Sequence, residues 1–320
     1  MTSTYISTDF WNNKRVVVTG GSGFLGARVV QRLIALGASE VFVPRSINYN
    51  LVNAEDSIRL LKDTKPNIVM HLAAKVGGIG DNKLHPAEYF YENLMMGVQL
   101  FHSCWQEQIE KFVCVGTVCS YPKHANTPFS EDELWNGYPE ETSAPYGLAK
   151  KMLLVQSKTY REQYGFNSIN LLPANLFGPG DNFDEATSHV IPALIRKCFD
   201  AKNQNENEVE VWGTGTASRE FLFVDDAAMG IVSAAEFYND SEPVNLGSGE
   251  ETTIKSLASK IAIATGYEGK FVWDSSKPDG QPRRKLDTSR ALKEFGFRAQ
   301  TKLDDGLKKM ADWYIDSKLS

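Results

Sequence analysis

Tyr146 and Lys150 stand four residues apart in SAPYGLAKK, residues 143 to 151. On a helix that spacing puts phenol and ammonium on one face. A free phenol titrates near about 10, too high for easy proton exchange at neutral pH. A neighbouring ammonium favours the phenolate, so Lys150 is expected to lower the Tyr146 pKa and make it a usable acid or base. The same spacing is common on exposed amphipathic helices, and position decides between the two. Upstream, GTVCSYPKH (116–124) follows an apolar run, Lys111 to Val115, that reads as a buried strand. Ligands gather at the C-terminal ends of such strands. There Thr117 offers a hydroxyl to a substrate oxygen beside Tyr146. Cys119 in the same stretch reads two ways, as a small packing residue or as a reactive thiol.

Near the N-terminus, VVVTGGSGFLGARVVQRL places Gly20, Gly23 and Gly26 between a strand and its helix. Glycines there permit a tight turn, close approach of backbone to a pyrophosphate, and tight helix–strand packing. The helix N-terminus then faces the phosphates with free N–H groups. The next strand ends in VFVPRS, with Arg45 and Ser46 and no acid. A carboxylate at that point would take the ribose 2′-OH of NAD, whereas arginine accommodates the 2′-phosphate of NADP. NADP(H) is the expected cofactor.

The elements that must position these residues alternate along the first half. RVVVT (15–19), EVFV (40–43), NIVMHL (67–72), KFVCV (111–115) and SINLLP (168–173) read as buried strands, with helices over 24–36 and 86–108 between them. That alternation predicts an α/β fold, a doubly wound parallel sheet of Rossmann type. The expected division is a cofactor-binding domain over 1–175, regained around 220–248 near FLFVDD, and a smaller α/β substrate lobe over most of 176–320. In that lobe HVIPALIRKCF and TIKSLASKIAIATG read as helices, EVEVWG and KFVWD as strands, and KNQNENE (202–208) as a polar loop. The chain is 42% apolar with net charge −6, which argues against broad nucleic-acid or membrane-surface binding. No signal peptide or membrane-spanning run is visible. Four cysteines (104, 114, 119 and 198) lack metal-like pairing, so no metal site is expected, and free thiols in a reducing cytoplasm are.

Further stretches narrow the reading. HLAAKVGGIGDN (71–82), PANLFGPGDNF (173–183), SHVIPALIRK (188–197), WGTGTASREFLFVDD (212–226) and DGQPRRKLD (279–287) resemble the GDP-L-fucose synthases. These form a family of the extended short-chain dehydrogenase/reductases, and the likeness runs from about residue 14 to near the C-terminus. It implies two reactions on a GDP-linked 4-keto-6-deoxyhexose: inversion at C3 and C5, then reduction of C4 with NADPH. It also implies a catalytic set of Thr117, Cys119, Tyr146, Lys150 and His189, with Cys119 and His189 as the epimerisation acid and base. Cofactor contacts are implied at Gly20, Gly23, Phe24, Leu25, Gly26 and Arg45. Beyond the glycine loop they fall at Ala73, Pro173, Asn175, Leu176 and His189, besides Tyr146 and Lys150. Substrate contacts are implied at Arg219, Asp279, Trp212 and Lys197 or its neighbour Arg196, while the 283–285 cluster either approaches the phosphates or is solvated. A homodimer is expected, through the helices beginning near Pro86 and Tyr146.

The chain departs from that family at three points. Serine is usual at the position of Thr117 and again at Val118, and Ser120 replaces a more apolar residue. The alternatives are a GDP-4-ketosugar reductase without epimerisation, heptoses included, or another nucleotide-sugar epimerase of the superfamily. A 4,6-dehydratase would need an acidic pair where Val118 and Cys119 stand, and a non-catalytic NADP sensor has no call on the Tyr146 and Lys150 pair.

Overall fold

The computed structural model describes residues 8–185, 187–277 and 279–319. A short helix α1 (Thr8–Trp11) leads into β1 (Arg15–Thr19), α2 (Phe24–Ala35), β2 (Glu40–Phe42), α3 (Ala54–Thr64) and β3 (Ile68–His71). Then come α4 (Ile79–Leu84), α5 (Pro86–Gln106), β4 (Lys111–Val115), α6 (Ala144–Tyr164), β5 (Ser168–Pro173) and β6 (Asn175–Phe177). The remainder is α7 (Val190–Gln204), β7 (Glu208–Trp212), β8 (Ser218–Phe223), α8 (Val224–Phe237), β9 (Val244–Leu246), β10 (Glu251–Thr253), α9 (Ile254–Thr265), β11 (Lys270–Asp274), β12 (Arg283–Arg284), α10 (Ser289–Phe295) and α11 (Leu303–Leu319).

The β-branched runs form one parallel six-stranded sheet in the order β2-β1-β3-β4-β5-β9. Both faces are covered, which is why its strands read as continuous apolar runs and not as alternating ones. On one face Val16, Val18 and Met70 pack with Val29 and Leu33 of α2 and Ile231 of α8. On the other, Val17, Val69 and Phe112 pack with Leu60 of α3, Leu100 of α5 and Leu153 of α6. Strand order reverses between β1 and β3, which opens the crevice at their carboxyl ends.

The second lobe has its own core, in which Ile195 of α7, Leu257 of α9 and Met310 of α11 meet Val209 and Val211 of β7. In that lobe β8 pairs with β10, β12 and β6, and β7 pairs with β11. FLFVDD is where the chain changes lobe: Phe221 to Phe223 end β8 in the second sheet, and α8 returns to pack on α2. β9 then closes the edge of the main sheet against β5.

Helix ends differ from the expected ones where the backbone turns left-handed. α5 stops at Gln106, not 108, with Gln108 at φ 55°. α7 runs on through Lys202 to Gln204, inside the stretch expected to be a loop, and stops at Asn205, φ 53°. β2 is one residue shorter than expected, Val43 lying outside it.

A buried polar knot joins the loop after Cys119 to the far elements. Asn245 of β9 accepts from the Tyr121 hydroxyl at 2.7 Å, and its amide donates to the carbonyls of Phe129 and Asp287 at 2.9 and 3.0 Å. Its backbone N–H donates to Glu131 at 2.9 Å. Replacing Asn245 by alanine strips the partner from the Tyr121 hydroxyl and the Asp287 carbonyl, while the Phe129 carbonyl keeps the Asp287 N–H at 2.9 Å. The expected loss of folding stability is about 2–4 kcal/mol, to be read from the midpoint of urea unfolding.

Candidate functional site

The strand-end residues are held by contact between two backbones. Beyond β4, Thr117 adopts an extended conformation and its hydroxyl accepts from the Cys119 N–H at 3.1 Å, starting a single 3₁₀ turn, Val118–Ser120. α6 begins against that turn. A Cβ on Gly147 would lie 2.3 Å from the Cys119 carbonyl oxygen, so only glycine lets the two meet. The Ser120 hydroxyl donates to the Gly147 carbonyl at 3.0 Å and fastens the contact. Two of the departures from the family pattern are explained here. Val118 turns into the main core, and Ser120 is a buried, hydrogen-bonded tie rather than an apolar filler.

Tyr146 is thereby set beside Thr117 and Cys119. Burial pushes its phenol above the ordinary value, the nearby Cys119 adds to the rise, and a hydrogen bond with Thr117 pulls the other way. The expected lowering by Lys150 does not occur. The Lys150 ammonium is buried and turned toward the Ala73 carbonyl, 3.5 Å away, with Cys114 and His71 as its electrostatic neighbours. Its own pKa is lowered by that burial. Tyr146 is therefore a protonated hydroxyl at neutral pH.

Around the glycine loop the residues fit a dinucleotide. Gly20 takes φ +70°, and a Cβ there would lie 2.8 Å from the Ala73 nitrogen; one on Gly26 would lie 2.1 Å from the Gly20 oxygen. Gly23 caps α2 without any side-chain bond, so the N–H groups of Phe24 and Leu25 open the helix toward the crevice. Arg45 is exposed just past β2. Pro173 ends β5, Leu176 sits in β6, and Asn175 donates to the Glu220 carbonyl at 2.9 Å, joining β6 to β8.

His189 is the N-cap residue of α7. The cleft walls lower its pKa by burial although its edge stays open to solvent. Among the described residues no hydrogen bond joins it to Cys119. The loop before it is tied across to the loop after β3, with Gly78 N–H donating to the Thr187 carbonyl at 3.2 Å.

The residues expected to meet substrate divide by what already occupies them. Arg219 is largely enclosed and donates to the carbonyls of Ser218, Gln281 and Asp279 at 2.7, 2.5 and 3.2 Å. Burial, followed by the neighbouring Arg284, lowers its pKa to about 10, and Cys119 acts in the opposite sense. Lys197 reaches the Glu210 carbonyl at 2.8 Å and Arg196 pairs with Glu185 at 3.3 Å. The Asp279 carboxylate accepts from the Thr214 N–H and hydroxyl, both at 2.7 Å, and so shapes the turn beside Trp212. Trp212 presents an open indole, with the Lys277 ammonium 5.5 Å from its ring centre. Among 283–285, Arg283 pairs with Glu251, whereas Arg284 donates to the Cys119 sulfur at 3.6 Å.

Sequence reasoning passed over Asn93, which is buried in α5 and clamps both backbone groups of Lys75 at 2.9 and 3.0 Å. An asparagine directly before the apolar run of α5 was the available signal. It also passed over Tyr89, whose hydroxyl bonds Asp81 and which acts on the Tyr146 phenol. A concavity of about 680 Å³ is lined by Trp105, Gln108, Tyr164 and Phe166 at the opposite, N-terminal edge of the strands. It holds none of these groups.

The loop carrying His189 contains a carboxyl with an unusual balance. One Asp181 oxygen accepts from the Asn182 N–H at 2.7 Å, while the other is buried with no partner among the described residues. Burial raises its pKa to about 7. The folded state thus holds this proton more tightly than the unfolded chain, where the group titrates near about 4. Asp181 therefore subtracts from stability as pH rises between those values. Asp181→Asn is expected to raise the melting temperature at pH 8 but not at pH 4; an equal shift at both would contradict this.

Comparison with known proteins places the chain. Residues 16–247 match the NAD dependent epimerase/dehydratase family. A probable GDP-L-fucose synthase 1 of Oryza sativa subsp. japonica is 39% identical, over 96% of this chain and 93% of that protein. Among solved structures, a GDP-6-OMe-4-keto-L-xylo-heptose reductase from C. jejuni superposes with a TM-score of 0.89 at 27% identity, over 96% and 99% of the two chains. A GDP-L-fucose synthetase from Naegleria fowleri, bound to NADP, gives 0.86 at 26% identity, over 97% and 96%.

Proposed function

We propose, for a chain that belongs to the NAD dependent epimerase/dehydratase family and within it to the GDP-L-fucose synthases, a two-step reaction on a GDP-linked 4-keto-6-deoxyhexose. It inverts C3 and C5 and then reduces C4, converting GDP-4-keto-6-deoxy-mannose to GDP-L-fucose or a close relative. The observation that carries this reading is the assembly of a thiol, a protonated phenol and a threonine hydroxyl at the end of one strand. The heptose reductases share the fold but only 27% of the sequence, against 39% for the fucose synthase relative.

Both epimerised carbons lie next to the C4 ketone. When a base takes the proton from either carbon, the electron pair of that C–H bond flows into an enolate and its charge collects on the C4 oxygen. Return of a proton to the other face inverts the centre, so an acid and a base are needed on opposite faces. Cys119 and His189 fill these roles. Tyr146 and Thr117 donate hydrogen bonds to the oxygen while it carries charge. NADPH, when bound, supplies the hydride for C4. Tyr146, kept protonated by its surroundings, gives its proton to the C4 oxygen in that step. Lys150 and Ala73, joined at the end of β3, hold the nicotinamide ribose, and Arg45 meets the 2′-phosphate. Arg219 and Lys197 take the diphosphate, and the open face of Trp212 takes the guanine.

A second copy of the chain covers the outer face of α5 and α6, where Phe90, Tyr91, Val155 and Tyr164 are exposed. All four cysteines are free thiols, which suits the reducing cytoplasm.

Two variants test the division of labour. Cys119→Ser should abolish solvent-proton exchange at C3 and C5 while leaving NADPH affinity within about twofold. Tyr146→Phe should cut NADPH oxidation by about a hundredfold or more. Exchange that persists in the serine variant, followed by mass in D2O, removes Cys119 from the mechanism. Light scattering of the purified protein should give twice the 35.6 kDa chain mass.

A further inference from the structure

We propose that Arg284 is a positioning residue for Cys119, holding its sulfur in place and in charge balance for proton exchange; this rests on the reading above. The Arg284 Nη1 lies 3.6 Å from the Cys119 sulfur and donates to it. A guanidinium carries donors only, so the sulfur must be the acceptor in this contact. One lone pair is thereby turned to the arginine, and the bond strengthens when the sulfur carries negative charge.

Arg284 is itself bracketed. Its Nε donates to the Gln281 side-chain oxygen at 3.2 Å, and the buried Gln281 amide donates to the Lys123 carbonyl at 2.8 Å, four residues beyond Cys119. The Phe129 N–H donates to the Lys285 carbonyl at 2.7 Å. The strand that carries Arg284 is therefore sewn to the same loop that carries the cysteine, from both sides of the guanidinium.

The neighbouring cation plays a different part. Arg284 pairs in register with Arg219, but the Arg219 guanidinium is fastened to three backbone carbonyls. Among the described residues neither arginine has a carboxylate within salt-bridge distance, whereas Arg283 next door is paired with Glu251. Among the described residues the positive charge beside the sulfur is thus not ion-paired, although Asp279 and Glu140 act on Arg219 from farther away. If Arg284 served the substrate diphosphate alone, its loss would weaken substrate binding equally for exchange and for reduction.

The test separates these. Arg284→Gln should lower kcat for deuterium uptake at C3 and C5 by at least about tenfold with KM unchanged. It should also slow iodoacetamide alkylation of Cys119 at pH 7 by about tenfold. Cys119 is the one cysteine not buried, so peptide mass spectrometry isolates its rate. Arg284→Lys, which keeps the charge but not the fork that reaches both Gln281 and the sulfur, should recover most of both rates, and it carries the test if the glutamine variant does not fold. A raised KM for both reactions with unchanged alkylation would overturn the proposal. Absence of uptake in the unmodified protein would instead sink the epimerase reading, and the alkylation ratio would still decide the Arg284 contact.

Discussion

The site depends on one close approach, the Gly147 backbone against the Cys119 carbonyl. A 3₁₀ turn of three residues and the first turn of a 21-residue helix meet there without a side chain between them. The contact brings two chemistries to one place. Tyr146 precedes the glycine on the helix, and Cys119 sits on the turn, so the phenol and the thiol share one wall. Interiors are packed to near-crystalline density, and even one methyl group at Gly147 would separate them.

The two lobes contribute different things to that wall. The parallel sheet supplies fixed strand ends, and its switch point between β1 and β3 supplies the glycine loop. The second lobe supplies charge. β8 and β12 run side by side and present Arg219 and Arg284 to the cysteine, one fastened to backbone carbonyls and the other to the sulfur. The chain passes between lobes at the start of α8, and Asn245 of the returning strand binds the loop that follows Cys119. Geometry at the cysteine thus depends on residues more than a hundred positions away.

Much of this was legible before the fold was known. Continuous Val-, Ile- and Leu-rich runs announce strands buried on both faces, and glycines at 20, 23 and 26 announce a loop that backbone must enter. The helical spacing of Tyr146 and Lys150 is equally plain, but spacing does not say where an ammonium points. Burial under α5 turns Lys150 to Ala73 and Cys114, so its expected effect on the phenol vanished. The helix ends at Gln106 and Gln204 were missed because non-glycine residues just beyond them, Gln108 and Asn205, take left-handed conformations. Arg284 looked like one member of a basic cluster. Only strand pairing, a register that no local pattern encodes, sends Arg283 to Glu251 and Arg284 to the sulfur.

The most direct measurement is made on the unmodified protein with GDP-4-keto-6-deoxy-mannose in D2O, first without NADPH and then with it. Mass spectrometry follows deuterium at C3 and C5, and absorbance follows nucleotide oxidation. A shared wall for both chemistries predicts uptake at both carbons before any NADPH is added, and oxidation once it is. Oxidation with no uptake would contradict it and leave a plain ketosugar reductase in which Cys119 is an ordinary packing residue.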